Sequence, residues 1–485
     1  MKTLQINNRA MKTLALTATL ALGCTTAALA QDGLRSAYFL DGYTYQHRMN
    51  PAIAGERNYV SFPFVLGNIN AGAQSNVGVS SFLYKLPSGQ LTTFMNESVN
   101  ASSFLSGLKG KNEVNADLTY NIMSAGFFKF GGFNTVELNL RSSTSTSIPK
   151  DMFAFMKQGM TSSNTFYDIG DLGLSSMTYA EIAFGHSRKV LDNLNVGAKV
   201  KVLVGLAQAS VKMKDLKVRM TDERWEVQSK GEMAIGLKGL DMPSKQEAGR
   251  NYDDDPSRAD LISWDDVDMG SYGLNGGGLA FDLGATYKFR DDLEFSAAIT
   301  DLGFIKWGSS TIANTADDTW TFDGFHEVGM TSGSDNQIDD QMDDLGDELA
   351  DFFNFHKTSK TKGKARALGA TLTLGALYTP PFYDGKLKGG FLWTTRIKGS
   401  YSWTEGRFSA NWFPCKVFDM SLNYAASNFG SSLGWVANVH TRGINFFLGT
   451  DHQFLKITPQ FVPVHRANTN VSIGINFPFG DRKSL

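Results

Sequence analysis

The chain has 485 residues, enough for several soluble domains or for one large barrel. Its 46 basic and 48 acidic residues nearly cancel, which argues against the basic footprint of a nucleic-acid-binding protein. With 49 Gly and 35 Phe against 12 Pro, the composition is that of a β-rich protein with aromatic surfaces.

Residues 1–30 read as an export signal. Lys2, Arg9 and Lys12 precede the apolar run Leu14–Gly23, and Ala28–Ala30 supplies small residues for a cleavage site. Cleavage after Ala30 leaves Gln31 first; the competing reading is lipidation at Cys24, in ALGC. Initiation at Met11 would keep this signal whole. Next comes YQHRMNPAIAGE, Tyr45–Glu56. Pro51 fixes its own φ and pushes Asn50 out of helical geometry. Asn50 is then a natural cap, with Pro51 and Ala52 in a compact turn or helix start. Past the signal there is no run of about 18 apolar residues and so no membrane-spanning helix. Cys415 is then the lone cysteine, which rules out an intramolecular disulfide or a cysteine metal cluster.

From there the dominant pattern has period two. TVELNLRS sets Val136, Leu138 and Leu140 against Thr135, Glu137, Asn139 and Arg141. NVGAKVKVLVGLAQ sets Val196, Val200 and Val202 against Gly197, Lys199 and Lys201, with Leu203 as the large apolar exception. GLAFDLGATYKFR sets Leu279, Phe281 and Leu283 against Ala280, Asp282 and Gly284. LGATLTLGALY puts Leu368, Leu372 and Tyr378 on an apolar face, and NVSIGINFPFG closes the chain in the same way. Such segments run longer than the roughly 5–6 residues of soluble strands, in the range of membrane strands. Aromatics gather at their ends, as interfacial girdles do.

Long connections at about 85–113, 143–174, 215–275 and 304–365 alternate with tight turns at Gly131, Ser187, Arg290 and Pro380. That alternation predicts an all-β transmembrane antiparallel barrel of about 14 strands, with long loops outside and short turns in the periplasm. The first strand is expected at 73–84 and the last at 469–478. YVSFPFVL, residues 59–66, is left over; as a further crossing it would spoil the even count. It is therefore assigned to an N-terminal hatch or plug, residues 31–70, followed by the barrel, 71–485.

The loops carry few chemical signals. Asn251–Asp268 is acidic but lacks calcium-loop spacing, and reads as a solvated loop. Asp335–Lys357 reads as an amphipathic helix, with Ile338, Met342 and Leu345 in its apolar stripe: a lid, a gate or a partner-binding element. Pro149–Met160 reads as a short helix whose Phe and Met residues pack or line a greasy way in. The seven histidines form no metal motif, and nucleophile elbows and phosphate loops are missing. No cofactor, metal or catalytic residue is expected, and an enzyme is the least favoured reading.

MNPAIAG, FLSGL, IPKDMF, YAEIAFGHSR, LNVGAKVKVLVG, GLAFDLGATYKF, AITDLGFIKW and VSIGINFPFG together resemble an uncharacterised family of exported proteins from Bacteroidota. That family carries a domain of unknown function and is usually taken as a β-barrel. More distantly, Asn50-Pro51-Ala52 and the paired DLG strands resemble the FadL long-chain fatty-acid transporter superfamily, which includes barrels of type IX secretion. The resemblance implies a cell outer-membrane location and a hatch containing Asn50, Pro51 and Ala52 inside a 14-stranded barrel. It implies contact with outer-membrane lipid and passage of a small hydrophobic ligand. The alternative is a non-transporting barrel that holds a secretion or surface protein partner.

Overall fold

The computed structural model describes residues 33–62, 68–78, 81–251, 256–323, 354–453, 468–483 and 485. The export signal, its cleavage site and Cys24 lie outside them. Fourteen strands close into one antiparallel barrel. Strand β1 has two arms, Asn58–Ser61 and Asn68–Ser75. Then follow β2 (Lys111–Lys129), β3 (Gly132–Pro149), β4 (Gly173–Leu191), β5 (Leu194–Thr221), β6 (Gly276–Arg290) and β7 (Leu293–Trp307). The second half comprises β8 (Ala370–Tyr378), β9 (Leu387–Ile397), β10 (Trp403–Cys415), β11 (Phe418–Ser427), β12 (Gly430–His440), β13 (Asn445–Gln453) and β14 (Thr469–Phe479). Each strand pairs with the next, and β14 closes the ring on both arms of β1, with Tyr59 opposite Pro478 and Ile69 opposite Ile473.

Burial is inverted relative to a soluble protein. Phe184, Leu279, Phe281, Leu283 and Phe408 are exposed, whereas Glu137, Glu181, Lys199, Lys201, Asp282 and Arg407 are buried. Alternation sends the first set outward and the second into the lumen. A closed ring has no free edge, so the backbone hydrogen bonds are satisfied even where lipid replaces water.

The first strand differs from its expected place. Among the described residues the first wall strand consists of 58–61 and 68–75, rather than beginning at 73 with 59–66 left over. Ser61 faces Ser124 and Asn68 faces Asn121, so the two arms are nearly contiguous along β2. The even count survives because both arms occupy one place in the ring. Residues 33–57 are then what precedes the wall.

Several loops hold more strand than expected. β5 continues to Thr221 and pairs above the ring with Asn164–Asp168 and Trp225–Leu237. Trp225–Leu237 in turn pairs with Ser309–Asn314 and Asp318–Phe322, and His356–Lys362 adds to that sheet. The strand at His356 ends the predicted acidic helix early; residues 324–353 of that loop lie outside the described ones. Helix α1 is Ala101–Ser106, and α2 is Lys150–Gln158, with Pro149 capping it from outside. β4 runs on through His186 and Ser187, and its turn falls at Asp192–Asn193. Leu368 turns inward, because Gly369 takes φ +95° and breaks the alternation there.

Candidate functional site

The lumen contains the chain's own N-terminal segment. Short 3-10 turns at Arg35–Ala37 and Gln46–Arg48 fold residues 33–57 into a compact body. Its apolar heart includes Leu34, Tyr38, Leu40, Tyr43 and Tyr45, packed on Val436 and Phe447 of the wall. The Tyr43 and Phe447 rings meet edge to face, 4.9 Å apart.

Polar contacts fix this body to opposite walls. The backbone amides of Arg35 and Ser36 donate to Asp451 at 3.0 and 2.6 Å. The Arg35 guanidinium pairs with Glu405 at 3.3 Å and lies over the Trp403 ring. Arg407 bonds both Glu405 and the Ser36 hydroxyl. Lower down, the Gly42 amide donates to Asp419 at 3.1 Å. Across the lumen, Arg48 and Lys199 both donate to Glu137, at 2.8 and 3.1 Å. Lys199 also donates to Nδ1 of His47, since an ammonium group has no acceptor.

The expected motif lies beside that second wall. Asn50 is fully buried, and Ala52 nearly so. The Asn50 side chain accepts from the Ala52 amide at 3.0 Å, and the Ile53 amide bonds the Asn50 carbonyl at 3.1 Å. The result is a β-turn with Pro51 second, not a helix start. The Asn50 amide donates to the Ala285 carbonyl and to the Tyr38 hydroxyl, both at 3.2 Å. The turn rests on Gly197 and Gly284, which face each other across β5 and β6. A Cβ on Gly197 would overlap the Pro51 carbonyl and come 2.6 Å from the Ala52 nitrogen; one on Gly284 would overlap the Asn50 side-chain oxygen. The two glycines are thus a socket that only a bare backbone can form.

Above the socket the inner wall is layered. Arg141 grips Asp301 with two bonds of 2.8 Å and reaches Glu181 at 2.8 Å. Lys201 bonds Asp301 at 2.6 Å and Asp282 at 2.8 Å. Asp301 sits in the left-handed region at φ +59°, where β6 and β7 slip register. Its amide donates to Asp282 at 2.8 Å. Next, toward the loops, comes an apolar collar: Met177, Tyr179, Leu203, Ala280, Ile305, Trp307 and Leu368. Over the loop end, Phe94, Phe104 and Phe153 form an aromatic cluster that joins α1 to α2.

Two chemical readings fail on geometry. Ser432, His452 and Glu405 resemble a hydrolytic triad, with Ser432 Oγ 2.6 Å from Nδ1 and Glu405 3.5 Å from Nε2. Arg35 donates to Nε2 at 2.9 Å, so that nitrogen accepts and Nδ1 carries the proton. Nδ1 therefore donates to Ser432 and has no lone pair to take its proton. In the acidic loop, Asp266 is already held by Arg250 at 2.7 and 2.6 Å, and these bonds, with one from Ser263, lower its pKa to about 2. Among the described residues no His, Cys, Asp and Glu cluster could hold a metal.

The alternating pattern placed Glu137, Lys199, Lys201 and Asp282 on the polar faces but gave no hint that they pair. Glu181, Asp301, Glu405 and Asp451 were missed. The one signal they leave is a charge in mid-strand on a face that cannot meet bulk water.

Fold and lumen together define a transmembrane β-barrel that carries its N-terminal segment inside. The chain belongs to the family of unknown function DUF5723, whose profile matches residues 51–451. No curated protein matches the sequence. Among solved structures it is similar to the toluene transporter TbuX of Ralstonia pickettii, at 11% identity over 93% of this chain and 95% of that one, TM-score 0.40. It is similar to the monoaromatic hydrocarbon channel CymD, at 10% identity over 94% and 95%, TM-score 0.39. It is also similar to a FadL homologue of Pseudomonas aeruginosa, at 13% identity over 91% and 92%, TM-score 0.30. Likeness this distant speaks to neither substrate nor mechanism.

Proposed function

We propose that the protein is an outer-membrane channel for a small hydrophobic molecule, and that residues 33–57 are its hatch. The observation that carries this reading is the apolar collar of the inner wall, set on the loop side of the ion-pair layers. Leu203, Ile305 and Trp307 pack on one another inside the lumen; a water-filled pore has no use for such an apolar constriction, whereas an apolar solute that parts these side chains meets matching surface. The aromatic cluster at the loop end supplies a matching first contact. The short turns face the periplasm, as in bacterial barrels generally. The Asn50-Pro51-Ala52 turn, seated on Gly197 and Gly284, anchors the hatch.

Gently extracted protein is expected to release a small apolar compound on mass spectrometry. Leu203→Asp should abolish that compound and leave the folded gel mobility unchanged; undiminished compound in the variant sinks the reading. Deleting residues 31–55 should make the barrel leaky to small sugars in a liposome-swelling assay. Unchanged permeability would return the segment to a structural leader.

A second reading, a barrel that holds a partner protein, is favoured by the sheet that β5 and Trp225–Leu237 raise above the ring. It predicts a co-purifying protein, lost on removing that sheet, and no apolar compound inside.

A further inference from the structure

Much of the outer wall is clothed in large apolar side chains, and one gap in that cover lies near its turn end. There Ala376, Gly389 and Ala410, on β8, β9 and β10, offer at most a methyl group, and a groove of about 590 Å³ lies over them. Tyr378, Phe391, Phe408 and Leu422 form its banks. Phe391 and Phe408 close one side as a tilted pair with ring centroids 4.9 Å apart. Gly389 is the floor, opposite Tyr378 on β8 and Ala410 on β10.

Glycine inside a strand is unfavourable unless something requires it. The neighbouring Gly390 is required from within, since a Cβ there would press on the Phe39 ring. Gly389 has no such reason. It is not among the positive-φ glycines, and a Cβ on it would meet nothing within 4 Å. Whatever needs the space lies outside the described residues. The groove is continuous with the exposed apolar belt, where the surrounding medium is acyl chain. A second copy of the barrel fits poorly, because a two-fold contact would set one concave groove against another. Lys386 is exposed on the turn three residues before Gly389, so about 10 Å of strand separates the floor from a cation at headgroup depth.

We infer that this groove is a phospholipid site, which holds one acyl chain of the leaflet at the turn end while Lys386 meets the phosphate. The inference needs the barrel in a bilayer but not the transport reading. The test uses the full mature chain, reconstituted in phosphatidylethanolamine–phosphatidylglycerol vesicles, re-extracted in mild detergent and weighed by native mass spectrometry. Wild-type protein should retain a phospholipid. Gly389→Leu and Ala410→Leu fill the groove and should lower its occupancy by roughly tenfold or more. Lys386→Glu should lower it further for the anionic lipid than for the zwitterionic one. Heat-dependent gel mobility of each variant reports that the barrel has folded. A bare wild-type barrel overturns the inference, as does occupancy unchanged by both filling substitutions. So does a dimer that Gly389→Leu converts to monomer, which would assign the groove to a second copy.

Discussion

Gly197 and Gly284 show how much a single missing side chain decides. They lie opposite each other in the wall, and the Asn50-Pro51 turn occupies the space their Cβ atoms would fill. Gly197→Val or Gly284→Val should therefore unseat the turn and raise sugar permeability in liposomes. Gly389→Leu, on the outer face, should leave permeability as it was. Glu137 works by charge instead. It faces Arg48 and Lys199 with all three groups buried, so Glu137→Gln strands two cations. Removing one member of such a buried set costs about 3–5 kcal/mol. The expected outcome is a lower midpoint in urea unfolding, partly recovered when Lys199→Met is added. Neither role could be read from local sequence, where Gly197 and Glu137 are ordinary inward positions of alternating strands.

At the level of elements, alternation was a good guide wherever a strand had strong outward residues. β5 and β6 read plainly because Val200, Val202, Leu279, Phe281 and Leu283 repeat every second position. β1 did not, because NINAGAQS offers the lipid only Ile69, Ala71 and Ala73, and its other described arm is only four residues long, Asn58–Ser61. The strands above the ring were hidden for another reason. Beyond the bilayer no lipid demands a run of large apolar residues, and the buried face of Trp225–Leu237 mixes Val227 and Met233 with Ser229 and Gly231. Turns were legible where backbone chemistry is strict. Phe130 and Gly131 take φ of 58° and 71°, the two left-handed positions of a type I′ hairpin. Gly131→Val should destabilise that hairpin by about 1–2 kcal/mol, seen as a lower unfolding temperature, because a β-branched residue resists this region. Phe130→Gly should do the reverse.

For the molecule as a whole, the inversion of burial is the organising fact. Outward apolar side chains match lipid, and the inward charges must then neutralise each other. The layer nearer the turns sets Arg48 and Lys199 on Glu137, and the next sets Arg141 and Lys201 among Glu181, Asp282 and Asp301. The first has a cation to spare and the second a carboxylate, so the stacked layers balance. A closed ladder of this kind should survive sodium dodecyl sulfate without heating. Unboiled protein is expected to migrate apart from boiled protein on a gel, and a single band under both conditions would count against the closed ring.

The sequence by itself determined the barrel: period-two alternation fixes which face each strand shows to lipid, and alternating loop lengths fix an even ring. It also marked Asn50, Pro51 and Ala52 as a turn, because proline constrains its own φ and its neighbour's. Tertiary structure decided what that turn touches and how the charges pair. Glu137 and Lys199 are 62 positions apart, and Arg35 and Asp451 are 416 apart. Their meeting depends on the register in which fourteen strands close and on the path the N-terminal segment takes across the lumen. Both are properties of the ring, and no spacing along the chain encodes them.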